Sequence, residues 1–184
     1  VKSSIVRVRP DGSSEFIDFL GNAAEGTNKG LEIEADWYAT DNLNLSAALG
    51  LLDATFDSFI NEFGEDLSGR DQAQAPKYTY HLAADYLKNN WQFQVSADGK
   101  DDFYFSDRHG VKSESYTLFN ANIGYSHDSW KVSLWGRNLT DKDVFTRAFG
   151  SFGNDPRNGY ITEPYYQYGE PRVVGVTFEL KLTR

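Results

Sequence analysis

Trp130-Lys131-Val132-Ser133-Leu134-Trp135-Gly136-Arg137-Asn138-Leu139-Thr140-Asp141 sets apolar Trp130, Val132 and Leu134 against polar Lys131, Ser133 and Arg137, with Trp135 the exception. Alternation of this kind marks a strand with one apolar and one polar face. Twelve residues exceed the roughly 5–6 of an ordinary strand and approach the roughly 9–11 that cross a bilayer at a tilt. This strand is expected to be one of a set, and the set to be the wall of a membrane barrel.

The same pattern recurs outward from it. Leu31, Ile33, Ala35 and Trp37 alternate with Glu32, Glu34 and Asp36, and Leu43, Leu45, Ala47, Leu49 and Leu51 follow the turn Thr40-Asp41-Asn42. Tyr78, Tyr80, Leu82, Ala84 and Tyr86 lead to the turn Lys88-Asn89-Asn90. Beyond it Trp91, Phe93, Val95 and Ala97 start a strand expected to continue to Phe105. Phe119, Ala121, Ile123 and Tyr125 reach the turn His127-Asp128-Ser129, and Val174, Val176, Phe178, Leu180 and Leu182 form the last strand. Towards the start, residues 5–9 read as a short strand before the turn Pro10-Asp11-Gly12-Ser13, 15–22 are weakly patterned, and 23–30 suggest a bulge. The reading is eight strands and no helix. Tight turns alternate with longer loops (61–77, 107–114 and 146–171), as in an antiparallel up-and-down meander.

Composition bounds the class. The 184 residues suffice for one domain, and without Cys neither disulfides nor thiolate metal sites form. A net charge of −9 excludes the basic footprint nucleic acid needs. No run approaches the roughly 18 apolar residues of a membrane helix, and the mean hydropathy of −0.56 misleads for a barrel, whose loops and inner face are polar. The start at Val1, without a charged and apolar leader, reads as mature protein or fragment.

A soluble barrel or sandwich shows the same alternation. Aromatic placement argues for lipid instead: Trp37 and Tyr38, Tyr86 and Trp91, and Tyr125 and Trp130 bracket the three tight turns, as interfacial side chains do. A second girdle is expected at the loop ends from Phe56, Phe59, Phe103, Phe105, Phe145 and Phe149. The polar face carries Glu32, Glu34, Asp36, Asp85, Asp98 and Glu179 against Lys131, Arg137 and Lys181. A wide lumen tolerates that excess of acid better than the filled interior of a small barrel.

Four segments resemble, in order, the C-terminal portion of TonB-dependent outer-membrane receptors: Asn28-Lys29-Gly30-Leu31-Glu32-Ile33-Glu34, Leu49-Gly50-Leu51-Leu52-Asp53-Ala54-Thr55-Phe56, Trp135-Gly136-Arg137-Asn138-Leu139-Thr140-Asp141-Lys142-Asp143, and Gly169-Glu170-Pro171-Arg172-Val173-Val174-Gly175-Val176. The resemblance implies that residues 1–184 are the C-terminal part of a barrel of about 22 strands, without its plug domain and earlier strands. It implies a Gram-negative outer-membrane protein contacting lipid. Such a protein is no enzyme; it takes up a scarce nutrient, a ferric siderophore above all, with energy from the TonB complex acting through the plug. No cofactor is implied. The ending Leu182-Thr183-Arg184 departs from the terminal aromatic usual in the family. The alternative is a self-contained eight-stranded outer-membrane barrel with a structural or adhesive role.

The candidate ligand surface is the 146–171 loop. Arg147 and Arg157 suit carboxylate or phenolate oxygens of an iron chelate, and Tyr160, Tyr165 and Tyr166 suit stacking; self-packing of the loop is the competing account. Glu62, Glu65, Asp66 and Asp71 fit no calcium spacing, and His81, His109 and His127 no metal or catalytic one, so neither metal nor catalytic residues are expected. A hydrolase would need a triad near His109 and Asp107.

Overall fold

The computed structural model describes residues 2–8, 10–20, 24–61, 64–149, 157 and 164–181, and at 2–8, 14–20 and 149 the backbone alone. Eleven strands form: β1 (Lys2–Val8), β2 (Ser14–Leu20), β3 (Ala24–Thr40), β4 (Leu43–Phe59), β5 (Tyr78–Lys88), β6 (Trp91–Lys100), β7 (Tyr116–Ser126), β8 (Trp130–Arg137), β9 (Phe145–Phe149), β10 (Tyr165–Tyr168) and β11 (Val173–Leu180). Seven make one antiparallel sheet in the order β11-β8-β7-β6-β5-β4-β3, while β1-β2 and β9-β10 are separate two-stranded ladders. The expected meander is present, with three differences. The 146–171 loop contains the hairpin β9-β10, β6 stops at Lys100 rather than Phe105, and β8 stops at Arg137 rather than Asp141. Among the described residues β3 and β11 lie at opposite edges of the sheet and share no ladder, so these strands do not close into an eight-stranded barrel.

Register turns the alternation into two continuous faces. Ile33 opposes Leu49, Ala47 opposes Leu82, Ala84 opposes Val95, Phe93 opposes Ile123, Ile123 opposes Leu134 and Leu134 opposes Val176. One side of the sheet is therefore apolar from β3 to β11. Its side chains are open: Val95 is 54% exposed, Leu134 51% and Val176 67%. A single patch spread over seven strands far exceeds what a soluble surface carries, and it fits acyl chains. The other side places Asp36 with Ser46, His81 with Asp98, Gln94 with Asn122 and Lys131 with Glu179.

The rim of tight turns is tied across strands. Leu87 N–H donates to Asn42 O, Ser126 N–H to Asn90 O, and Lys181 N–H to Ser129 O. Asn89 has a φ of +53°, a conformation that Asn tolerates. The aromatics here touch one another as an interfacial belt should: Trp91–Tyr125 ring centroids are 4.9 Å apart, Tyr125–Trp130 5.6 Å and Trp130–Phe178 6.3 Å.

The loop end is built differently from expectation. Phe59, Phe103 and Phe105 are 4%, 3% and 6% exposed, so they are no lipid-facing girdle. Phe103 and Phe105 instead centre a small protein core with Ala148, against which Val111 and Phe145 pack. This explains the early end of β6, because the chain must leave the sheet to turn these rings inward. Arg70 fastens the loops, donating to Ser106 O at 2.5 Å and His109 O at 3.0 Å while its guanidinium lies 3.8 Å over the Tyr104 ring.

One contact yields a stability prediction. The Tyr80 ring covers the bare backbone of Gly99, and a Cβ there would lie 2.0 Å from Tyr80 Cε1. The Tyr80 hydroxyl is 2.6 Å from Thr117 Oγ1 on the next strand but one. Gly99→Ala must displace the ring and is expected to destabilise the protein by about 1–3 kcal/mol. Urea titration of the refolded protein beside a Gly99→Ala, Tyr80→Ala double substitution checks this, since removing the ring should remove most of the clash.

Candidate functional site

Two surfaces carry convergent polar chemistry, one on the charged face of the sheet and one at the loop end. On the sheet, the His81 and Asp98 carboxylate-imidazole pair is 2.6 Å apart, Asn120 Nδ2 donates to Asp98 Oδ2 at 2.9 Å, and Asn120 Oδ1 accepts Asn138 N–H at 3.0 Å. Next to this chain lies a cavity of about 330 Å³ whose lining includes Gln94, Ser96, Asn122, Ser133, Trp135 and Arg137. Trp135 is held in place: Nε1 donates to Thr177 Oγ1 at 3.0 Å, and its ring lies on Gly175. Arg137 pairs with Glu170 at 3.0 Å, and its guanidinium lies over the Trp135 ring at 5.3 Å.

Of the five ligand candidates at the loop end, Arg147, Tyr165 and Tyr166 fall on the β9-β10 hairpin. Tyr166 opposes Ala148 in the β9-β10 ladder and packs on Phe145 at 4.6 Å and Phe105 at 6.2 Å while remaining 44% exposed. Arg147 opposes Gln167 and Tyr165 opposes Phe149, which puts Arg147 and Tyr165 on the other face of the hairpin. Both are exposed, as are Tyr166 and Arg157, while Tyr160 lies outside the described residues.

Among the described residues, the remaining candidates hold no catalytic or metal geometry. Asn61 Nδ2 donates to Glu65 Oε2 at 2.7 Å, Asp71 pairs with Lys77 at 3.4 Å, and Glu62 lies outside the described residues. The Ser68 hydroxyl and N–H hold the Asp66 carboxyl below its ordinary range. No metal-ligating cluster occurs among the described residues. His109 Nδ1 accepts Val111 N–H at 3.3 Å and its Nε2 has no hydrogen-bond partner, so no hydroxyl is set against it as a nucleophile.

Sequence reasoning missed the His81–Asp98–Asn120 chain and the cavity beside it. Its one visible signal was Trp135, the apolar residue breaking the alternation of β8.

The profile of the family described as TonB dependent receptor-like, beta-barrel matches residues 2–139. The chain belongs to the TonB-dependent receptor β-barrel family. Members are outer-membrane proteins of Gram-negative bacteria. A 53-residue stretch is 42% identical to the ferric-pyoverdine M114 receptor PbuA of Pseudomonas sp. (strain M114), covering 26% of this chain and 6% of that protein. The siderophore receptor PiuA of Acinetobacter baumannii has the same fold, with a TM-score of 0.67 and 22% identity over 85% of this chain and 22% of PiuA. The ferric yersiniabactin uptake receptor FyuA of Yersinia pestis superposes with a TM-score of 0.72 and 14% identity, over 88% of this chain and 24% of FyuA. The chain thus spans under a quarter of the length of these solved receptors, which are transport proteins rather than enzymes.

Within the TonB-dependent receptor barrel, the family-like segments act as joints. Gly30 lies where a Cβ would meet Leu51 O at 2.9 Å, and Asn28 Oδ1 accepts Gln72 Nε2–H at 2.9 Å. Asp141 Oδ1 accepts Arg172 N–H at 3.0 Å, binding the turn after β8 to the residue before β11.

Proposed function

We propose that this chain is the C-terminal part of the barrel wall of an outer-membrane active-transport receptor whose cargo is a ferric siderophore. In this reading residues 1–184 line one side of a plugged lumen, and the TonB complex supplies energy through the plug. The carrying observation is the seven-stranded sheet with one unbroken apolar face and one charged face, in a family whose matched relatives are named as siderophore receptors. Arg147, with Arg157, Tyr160, Tyr165 and Tyr166, is the proposed contact set for the chelate's oxygens and rings. Tyr166 keeps the hairpin in position through Phe105 and Phe145.

Deleting the gene is expected to abolish growth on a ferric siderophore as sole iron source, and loss of TonB function is expected to do the same. Uptake of labelled iron that continues without TonB would refute the reading. In the full-length receptor, Arg147→Ala combined with Tyr165→Phe is expected to raise the half-saturation concentration about tenfold, equivalent to about 1.4 kcal/mol. Labelled-iron uptake across a concentration series measures it, with heat-modifiable migration as the check on assembly.

A further inference from the structure

A run of hydrogen bonds crosses the charged face of the sheet and ends at the root of the β9-β10 hairpin. His81 Nδ1 on β5 meets Asp98 Oδ1 on β6 at 2.6 Å, Asp98 Oδ2 accepts from Asn120 Nδ2 on β7 at 2.9 Å, and Asn120 Oδ1 accepts Asn138 N–H at 3.0 Å. Asn138 Nδ2 in turn donates to Lys142 O at 2.9 Å and Glu170 O at 3.1 Å, and Lys142 N–H returns to Asn138 Oδ1 at 2.9 Å. Lys142 and Glu170 flank the two strands that carry Arg147, Tyr165 and Tyr166, and just inside them Gly169 N–H closes on Val144 O at 2.8 Å.

The chemistry of the groups gives each link one direction. A carboxylate only accepts, so Asp98 requires the proton on His81 Nδ1 and the amide nitrogen of Asn120 towards it. A backbone N–H only donates, so the Asn120 oxygen must face Asn138. Turned over, the Asn120 carboxamide loses both bonds. Ser96 Oγ, 3.2 Å from Asn120 Nδ2, can donate or accept and so does not choose between the two orientations. Asp98 does. The choice matters because Asn138 has a φ of +48°, a conformation that persists only where its surroundings hold it. The His81 and Asp98 side chains are 47% and 45% exposed, so their pairing contributes little to stability; what they supply is orientation.

We propose that Asp98, held by His81, is a positioning residue for the ferric-siderophore contacts. It orients Asn120, Asn120 holds the Asn138 N–H, and Asn138 sets how the β9-β10 hairpin presents Arg147, Tyr165 and Tyr166. The inference rests on the proposed function for what the hairpin binds.

The test uses the full-length receptor. A nitroxide attached through Gln167→Cys, an exposed position on β10, reports hairpin mobility, and uptake of iron-labelled pyoverdine by the unlabelled receptor reports function. Asp98→Ala is expected to shift the nitroxide spectrum towards greater mobility and to raise the half-saturation concentration about fivefold at unchanged maximal rate. His81→Leu should move both in the same direction and by less. Asp98→Asn should restore both, because its amide oxygen accepts from Asn120 while its amide nitrogen donates to the other tautomer of His81. Asp98→Ala with Asn120→Ala should cost no more than Asn120→Ala alone, since the two act in series. A merely structural loss lowers the maximal rate through fewer assembled receptors, which heat-modifiable migration counts.

An unchanged nitroxide spectrum in Asp98→Ala overturns the proposal, whatever uptake does. So do a loss confined to the maximal rate and effects of Asp98→Ala and Asn120→Ala that multiply. A spectrum shifted by Asp98→Ala and restored by Asp98→Asn, in a receptor that takes up no iron from pyoverdine, supports the positioning role while counting against that cargo.

Discussion

Val95→Arg is expected to destabilise the assembled receptor by about 2–4 kcal/mol, whereas Gln94→Arg, one residue earlier on β6, should cost less than about 1 kcal/mol. Val95 opposes Ala84 on one side and Ala121 on the other, in the middle of the apolar face. An arginine there must hold its guanidinium among acyl chains or distort the bilayer to reach water. Gln94 opposes Asp85 and Asn122 on the charged face, so an arginine in its place meets a carboxylate and lumenal water. The comparison uses neighbours on one strand, which holds strand propensity and bilayer depth nearly constant. Urea unfolding of the full-length receptor refolded into lipid vesicles gives both values. Equal costs, or a larger cost at Gln94, would mean that the apolar side faces protein and the charged side faces outward.

The two faces were legible because period-two alternation fixes which side each residue takes, and register then only has to match like with like across the sheet. Ile33, Val95, Leu134 and Val176 are therefore together in the structure as they are in the pattern. The tight-turn belt was legible for a similar reason: an aromatic at the end of an alternating strand has few environments available other than the interface. The loop end was not. Phe103 and Phe105 occupy alternating positions and so pass for strand residues, yet they sit at 3% and 6% exposure in a core with Ala148. Nothing local distinguishes a ring that meets lipid from one that meets Ala148, a partner 45 and 43 positions away by residue number. The two faces of the ligand hairpin were not legible either. Tyr165 and Tyr166 are adjacent in sequence, but pairing of β10 with β9 turns one towards Phe149's position and the other onto Phe105 and Phe145. The Trp135 cavity depended on residues from three strands, β6, β7 and β8, and only the break in alternation at Trp135 hinted at it.

Asn138 shows how a motif can be recognised in sequence before its purpose is. The residue is 3% exposed and has a φ of +48°. Its Nδ2 donates to Lys142 O at 2.9 Å and to Glu170 O at 3.1 Å, and its Oδ1 accepts Lys142 N–H at 2.9 Å. One side chain thus closes the turn after β8 and ties it to the segment that opens β11. The left-handed backbone is what ends β8 at Arg137, and Asn adopts it at less cost than other side-chain-bearing residues. Asn138→Ala takes away three hydrogen bonds to part-buried backbone groups and retains a Cβ in the left-handed region, so a loss of about 2–3 kcal/mol is expected. Asn138→Gly loses the same hydrogen bonds but relieves the backbone, and should recover about 1 kcal/mol of that loss. Urea unfolding in vesicles orders the three proteins as Asn138, then Gly, then Ala. If Ala matched Gly, the left-handed turn would contribute nothing. If Ala came within about 1 kcal/mol of the parent, the bonds from Asn138 to Lys142 and Glu170 would not be what joins β8 to β11.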